Sequence, residues 1–180
     1  MAEPMRVVVT GATNRFGKAI VEALAKAGHH VRAFGVEPGA DLFQGLENVQ
    51  AHPGRIEVTG SIEPVLSQRQ ALVHAACMDL PGDDPKAHAF KIERGTLAAR
   101  YGAERELVDH FIHVTPAEAD RRFVPWLDQA VEQADRTRGP INVRVVLARD
   151  PASTADEVVR LLQDLPELGE LPGADDAVTV

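Results

Sequence analysis

The chain has 180 residues, 44% of them hydrophobic and 26% charged, with a formal net charge of -8. This suits one globular domain with its own core, and the negative charge excludes a generic nucleic-acid surface and gives no pull toward an anionic membrane. Cys77 is the only cysteine, which excludes an intrachain disulfide, and no apolar run is long enough to span a bilayer.

Residues 5–10 are an apolar run broken only by Arg6, rich in β-branched residues and stopped by Gly11, which predicts a buried strand. Phe16, Ala19, Ile20, Ala23, Leu24 and Ala27 then recur at helical spacing, and Gly28 ends that helix. Residues 30–34, 48–52 and 70–75 read as the second, third and fourth strands. A helix is expected over 84–106 despite Gly95 and Gly102, then a fifth strand over 110–115 and a loop over 116–124. Pro125 opens a helix over 125–136 with Trp126, Leu127, Ala130, Val131 and Ala134 on its apolar stripe. A sixth strand covers 141–148. Ser153 or Thr154 is expected to cap a last helix whose apolar face is Val158, Val159, Leu161, Leu162 and Leu165.

Strands alternate with helices throughout. The fold class is therefore α/β: a Rossmann-like doubly wound parallel sheet of about six strands with helices on both faces. Residues 1–165 form one domain, and 166–180 form an acidic tail containing Pro and Gly; residues 164–180 hold five acids and no base. The N-terminus lacks the charged and apolar regions of a signal peptide, so a cytoplasmic location is expected.

The sharpest feature is Thr10-Gly11-Ala12-Thr13-Asn14-Arg15-Phe16-Gly17, set between a strand and a helix. In such a turn, backbone N–H groups face a pyrophosphate at the positive helix end. Gly11 allows the tight bend, and Gly17 allows close packing of helix on strand. A βα turn without a ligand has the same pattern. Gly17-Lys18 echoes a P-loop, but five residues separate Gly11 from Gly17, and Ala19 replaces the Mg²⁺-binding Ser or Thr.

On these residues the chain resembles the extended or atypical short-chain dehydrogenase/reductases, including NAD-dependent epimerase/dehydratase and NmrA-like proteins. The resemblance covers about residues 5–150. The 10–17 stretch is similar to that group's TGxxGxxG turn, and Gly28-His29-His30-Val31-Arg32-Ala33 to its second-strand entry. Gly60-Ser61-Ile62 resembles a Gly-Asp-Ile/Val step, and Ala71-Leu72-Val73-His74-Ala75-Ala76 the end of its fourth strand. Ile92-Glu93-Arg94-Gly95-Thr96 resembles an Asn-x-x-Gly-Thr element. Phe111-Ile112-His113-Val114-Thr115 resembles the strand ending at the catalytic Ser or Thr. The resemblance implies cofactor contacts from Gly11, Thr13, Asn14, Arg15, Phe16, Gly17, Arg32, Ser61, Ile62, Ala75 and Ala76. Thr115 is the catalytic candidate.

There are departures from that pattern. Asn14 stands where the middle glycine falls, a position that Asn's tolerance of left-handed backbone would preserve. Ser61 replaces an Asp, and Gly35 falls where NAD-preferring members place an acid. Arg15 and Arg32 suit a 2′-phosphate, which favours NADP over NAD, although both also fit solvated surface positions. The Tyr-x-x-x-Lys pair implied after strand five is missing. Tyr101 is the only tyrosine and precedes that strand, Arg105 lies four residues on, and Lys91 is the last lysine. Phe123 and Trp126 occupy the neighbourhood instead. The C-terminal substrate region of such proteins is also expected to be largely missing.

No histidine set has metal-ligand spacing; His110 and His113 point to opposite faces of a strand. Cys77 has only His74 as a local base, and a half-buried small residue is its simpler reading. A homodimer is expected through the helices 84–106 and 125–136, or a heteromeric partner that completes the site. Three functions remain open. They are redox or isomerase chemistry on a small molecule with bound NADP or NAD, a dinucleotide sensor or structural subunit without turnover, and a fold that has lost its cofactor.

Overall fold

The computed structural model describes residues 3–37, 41–58, 60–78, 84–116 and 142–164. Its strands are β1 (Arg6–Thr10), β2 (His30–Phe34), β3 (Val49–His52), β4 (Ala71–His74), β5 (His110–Pro116) and β6 (Asn142–Ala148). They form one sheet in the order β3-β2-β1-β4-β5-β6, and every neighbouring pair is parallel. The chain reverses its direction of winding between β1 and β4. This is the switch point at which such sheets open a crevice at the carboxyl ends of their strands.

The central strands are covered on both faces, which explains why β1 is a continuous apolar run rather than an alternating one. Helix α1 (Arg15–Lys26) lays Phe16, Ile20, Val21 and Leu24 on the face carrying Val7, Val9, Val31, Val73 and Ile112. Helix α4 (Pro151–Gln163) joins that layer through Ala155, Val158 and Leu162. On the opposite face Val8, Phe34, Leu72 and Phe111 meet α2 (Glu63–Leu66) and α3 (Pro85–Arg105). The glycines expected to weaken α3 serve this packing. A Cβ at Gly102 would lie 3.0 Å from Ile62 Cγ2 and 3.1 Å from Leu66 Cδ1, so glycine there lets α3 sit against α2, and a Cβ at Gly95 would lie 3.0 Å from Ile56 Cγ2.

The structure corrects some local expectations. Asp150, and neither Ser153 nor Thr154, caps α4; its carboxylate accepts from Ser153 N at 3.0 Å, and Pro151 takes the first turn. Ser153 and Thr154 are helical residues bonded back to Asp150. Helix α2 and a single 3-10 turn, Ala76–Met78, were not expected. Pro116 ends β5 and does not open the loop expected over 116–124; the rest of that loop, the helix expected over 125–136 and the tail 166–180 lie outside the described residues. No helix among the described residues is long and apolar enough to cross a membrane.

Candidate functional site

The crevice is built by two glycines and one asparagine. Gly11 has φ +67, and a Cβ there would lie 2.7 Å from Ala75 O, Ala76 N and Ala76 Cα. The turn after β1 therefore presses directly on the chain leaving β4. A Cβ at Gly17 would lie 2.0 Å from Gly11 O, so α1 can begin this close to β1 only with glycine.

Asn14 corrects an expectation. Its backbone is extended, φ -76 and ψ 161, and uses none of asparagine's tolerance for left-handed geometry. It is instead the N-cap of α1. Its Oδ1 accepts from Phe16 N at 3.1 Å and Gly17 N at 2.8 Å. Its Nδ2 donates to Ala75 O at 2.9 Å, across the switch point. Two first-turn amides thus converge on one oxygen at the positive end of a helix.

Gly11, Asn14, Phe16, Gly17, Ala75 and Ala76 are brought together here. Thr13 and Arg15 are exposed at the mouth, with the Arg15 guanidinium carbon 5.1 Å from the centre of the Phe16 ring. Other candidates are engaged elsewhere. Arg32 lies in the middle of β2, and its Nη1 donates to Val65 O at 2.9 Å. Ser61 Oγ donates to Arg55 O at 2.6 Å, and Ile62 is a core residue beneath α3. Gly35 follows β2 with φ +94.

Beside the glycine turn, the strand ends hold a group that the sequence reading did not assemble. His74 is buried between two hydroxyls: Nδ1 lies 2.7 Å from Thr10 Oγ1, and Nε2 lies 3.1 Å from Thr96 Oγ1. Its ring stacks on His113 at 5.6 Å. Thr115 is buried two residues further along β5, on the same face as His113. Burial first, and then the neighbouring His113, hold the His74 pKa well below the usual histidine range. Burial alone pushes His113 down to about 4. A neutral His74 donates to one threonine and accepts from the other, which fixes the ring. The signal for this trio was present, since a hydroxyl at the end of a buried strand requires a partner. The only tyrosine, Tyr101, lies on α3 and is 56% exposed. Among the described residues no three metal-ligating side chains converge.

No protein-family model matches this sequence, and no curated protein does. Solved structures do. Serine dehydrogenase from Escherichia coli matches with a TM-score of 0.65 at 22% identity, over 90% of this chain and 92% of its own. A short-chain dehydrogenase/reductase superfamily protein from Agrobacterium tumefaciens with bound NAD matches with a TM-score of 0.63 at 18% identity, over 79% of this chain. The Bordetella bronchiseptica enzyme WbmH in complex with NAD⁺ matches at 0.54 and 18%, over 66% of this chain. The chain spans only 48% and 42% of the Agrobacterium and Bordetella proteins. The shared feature is the Rossmann fold, as the alternation of strands and helices and the 10–17 turn had implied.

The buried imidazoles generate a pH dependence. His113 is neutral in the folded state down to about 4, against a reference value of 6.5. Between those limits the unfolded chain binds more protons, so stability is full above about pH 6.5 and falls as pH drops toward 4. The loss is on the order of 3 kcal/mol for a shift of this size. Urea midpoints measured across this window should decline, and the decline should be shallower in His113→Phe; an equally steep profile would assign it to other groups.

Proposed function

We propose that this chain is a nicotinamide-dinucleotide-binding protein of the short-chain dehydrogenase/reductase type. The observation that carries the reading is the convergence of Phe16 N and Gly17 N on a single oxygen at the switch point. That geometry suits a phosphate oxygen, because the helix end favours negative charge. Asn14 Oδ1 holds the place and must swing away for a pyrophosphate to enter. Magnitudes favour the exchange. An N-cap side chain contributes about 1 kcal/mol, whereas each hydrogen bond to a charged acceptor contributes about 1.5–3 kcal/mol.

Arg15, exposed at the crevice mouth, is the residue for a 2′-phosphate, and NADP is preferred over NAD on its account. Arg32 lies in the middle of β2 and not at its carboxyl end, and adds nothing to that preference. A bound nicotinamide would supply hydride chemistry for redox or isomerase reactions on a small molecule. This chain's residues would bind and orient, with Thr115 the hydroxyl nearest the role of catalyst. A sensor without turnover is the second reading. It is favoured by the locked, neutral His74 and by the exposed position of Tyr101, remote from a proton-donor role.

Thermal melts with NAD⁺, NADH, NADP⁺ and NADPH test the first reading. A ligand at about a hundred times its Kd stabilises by about 2.7 kcal/mol. Asn14→Gly is expected to tighten binding about fivefold, since a glycine cap sacrifices only a few tenths of a kcal/mol of folding stability. Arg15→Ala is expected to erase the NADP preference. Melts unmoved by all four dinucleotides in both the native chain and Asn14→Gly would refute the proposal.

The same reading places a homodimer contact on α3. Phe90, Leu97 and Tyr101 are 61%, 50% and 56% exposed and share one helix face by their spacing. A second copy of the helix would cover this stripe. Sedimentation should give a dimer at micromolar concentration and a monomer for Leu97→Glu; a monomeric native chain contradicts the contact.

A further inference from the structure

We propose that the groove at the amino ends of β1, β2 and β3 binds a phosphate-bearing small molecule through Arg6, Arg32 and Arg69. This groove lies at the opposite end of the sheet from the glycine turn: Arg6 opens β1, and Thr10 closes it. Its volume is about 460 Å³, and Arg6, His30, Arg32 and Arg69 line it with Glu47 as the only carboxylate among the described residues.

Three independent observations point to an anion. The first is charge without a partner. In a chain of net charge -8, the ion pairs among the described residues are made by Lys18, Arg55 and Arg100, and none by these three arginines. The second is unmet hydrogen bonding. Arg32 Nε and Arg69 Nε are buried without a protein partner, as is Nε2 of His52 on the adjacent strand. Buried donors are normally satisfied, and two arginines that line the groove each carry one that is not.

The third observation is that the array is held in position. Arg32 is tethered through Nη1 to Val65 O at 2.9 Å, which leaves Nε and the rest of its fork uncommitted. Arg69 follows Gln68, a non-glycine residue in left-handed conformation with φ 59. Its own N–H donates to Leu66 O at 2.9 Å. Gln70 ties this segment to β1 through Gln70 N to Arg6 O at 2.9 Å and Arg6 N to Gln70 Oε1 at 2.8 Å. These backbone bonds set Arg69 beside Arg6 and Arg32. Burial first, and then the Arg32 and Arg6 charges, lower the pKa of Arg69, and the same two effects act on His52 through Arg32 and Arg69. A bound anion would relieve that repulsion.

Phosphate fits better than a carboxylate. Guanidinium forks pair with oxygens two at a time, and a tetrahedral group can engage several forks at once. The groove has room for an organic part beside the phosphate.

The test follows arginine Nε–H resonances of the full chain during titration with ribose 5-phosphate, inorganic phosphate and ribose, at constant ionic strength in chloride. Arg32 and Arg69 signals should move saturably with both phosphates, more tightly with ribose 5-phosphate, and not with ribose. Equal affinity for both phosphates would reduce the ligand to free phosphate and overturn the claim of an organic part. Arg6→Gln and Arg69→Gln should each weaken binding about tenfold or more. Their amide spectra report whether the fold survives, and Arg69→Lys, which keeps charge but loses the fork, should fall in between. The proposal is overturned by the absence of saturation, by unchanged affinity in both glutamine variants, or by shifts confined to the Phe16 and Gly17 amides.

Discussion

Gly17 and Gly11 approach so closely that a single added methyl group would collide with backbone, at 2.0 Å from Gly11 O. That contact seats α1 on the end of β1 and fixes where the helix begins. Gly11 in turn presses on Ala75 and Ala76, which locks the turn to the end of β4. The positive end of α1 is thereby aimed into the gap between the two central strands. Everything proposed for the crevice depends on this placement, and no larger residue at either position preserves it.

The crevice is dressed for an oxygen acceptor, and it carries one of its own. Asn14 satisfies amides that would otherwise be open, and its carboxamide also bridges to Ala75. Phe16 N and Gly17 N are thus satisfied by a weak internal occupant that a charged one can displace. The neighbouring imidazoles have a different character. His74 is fixed by Thr10 and Thr96, and desolvation keeps both it and His113 neutral. They shape and support the strand ends and do not exchange protons at neutral pH. The proposed anion groove lies at the other end of the strands, so the two sites can be occupied independently.

Much of the fold was legible because a parallel sheet buries its strands on both faces. Val7 to Val9 and Ala71 to Val73 are apolar runs, and Phe111 to Val114 is one broken only by His113, so none needs long-range information to be read as a strand. The glycine turn was legible for a similar reason, since the residues that make it are contiguous. What escaped depends on contacts between distant residues or on very short elements. Nothing local says that Asn14 will meet Ala75, or that Arg32 will donate to Val65. Four-residue α2 has no room for a helical period. Asp150 and Ser153 are both good caps by type, and Pro151 settles the choice by fixing the first helical position. The Thr10–His74–Thr96 trio was legible in its parts only, because its members come from three different elements.

A crystal structure of the protein grown with NADP⁺ tests the central claim most directly. Pyrophosphate oxygens are expected within hydrogen-bonding distance of Phe16 N and Gly17 N, with the Asn14 carboxamide rotated off both. Asn14 still capping those amides, and the dinucleotide absent or seated elsewhere, would contradict it.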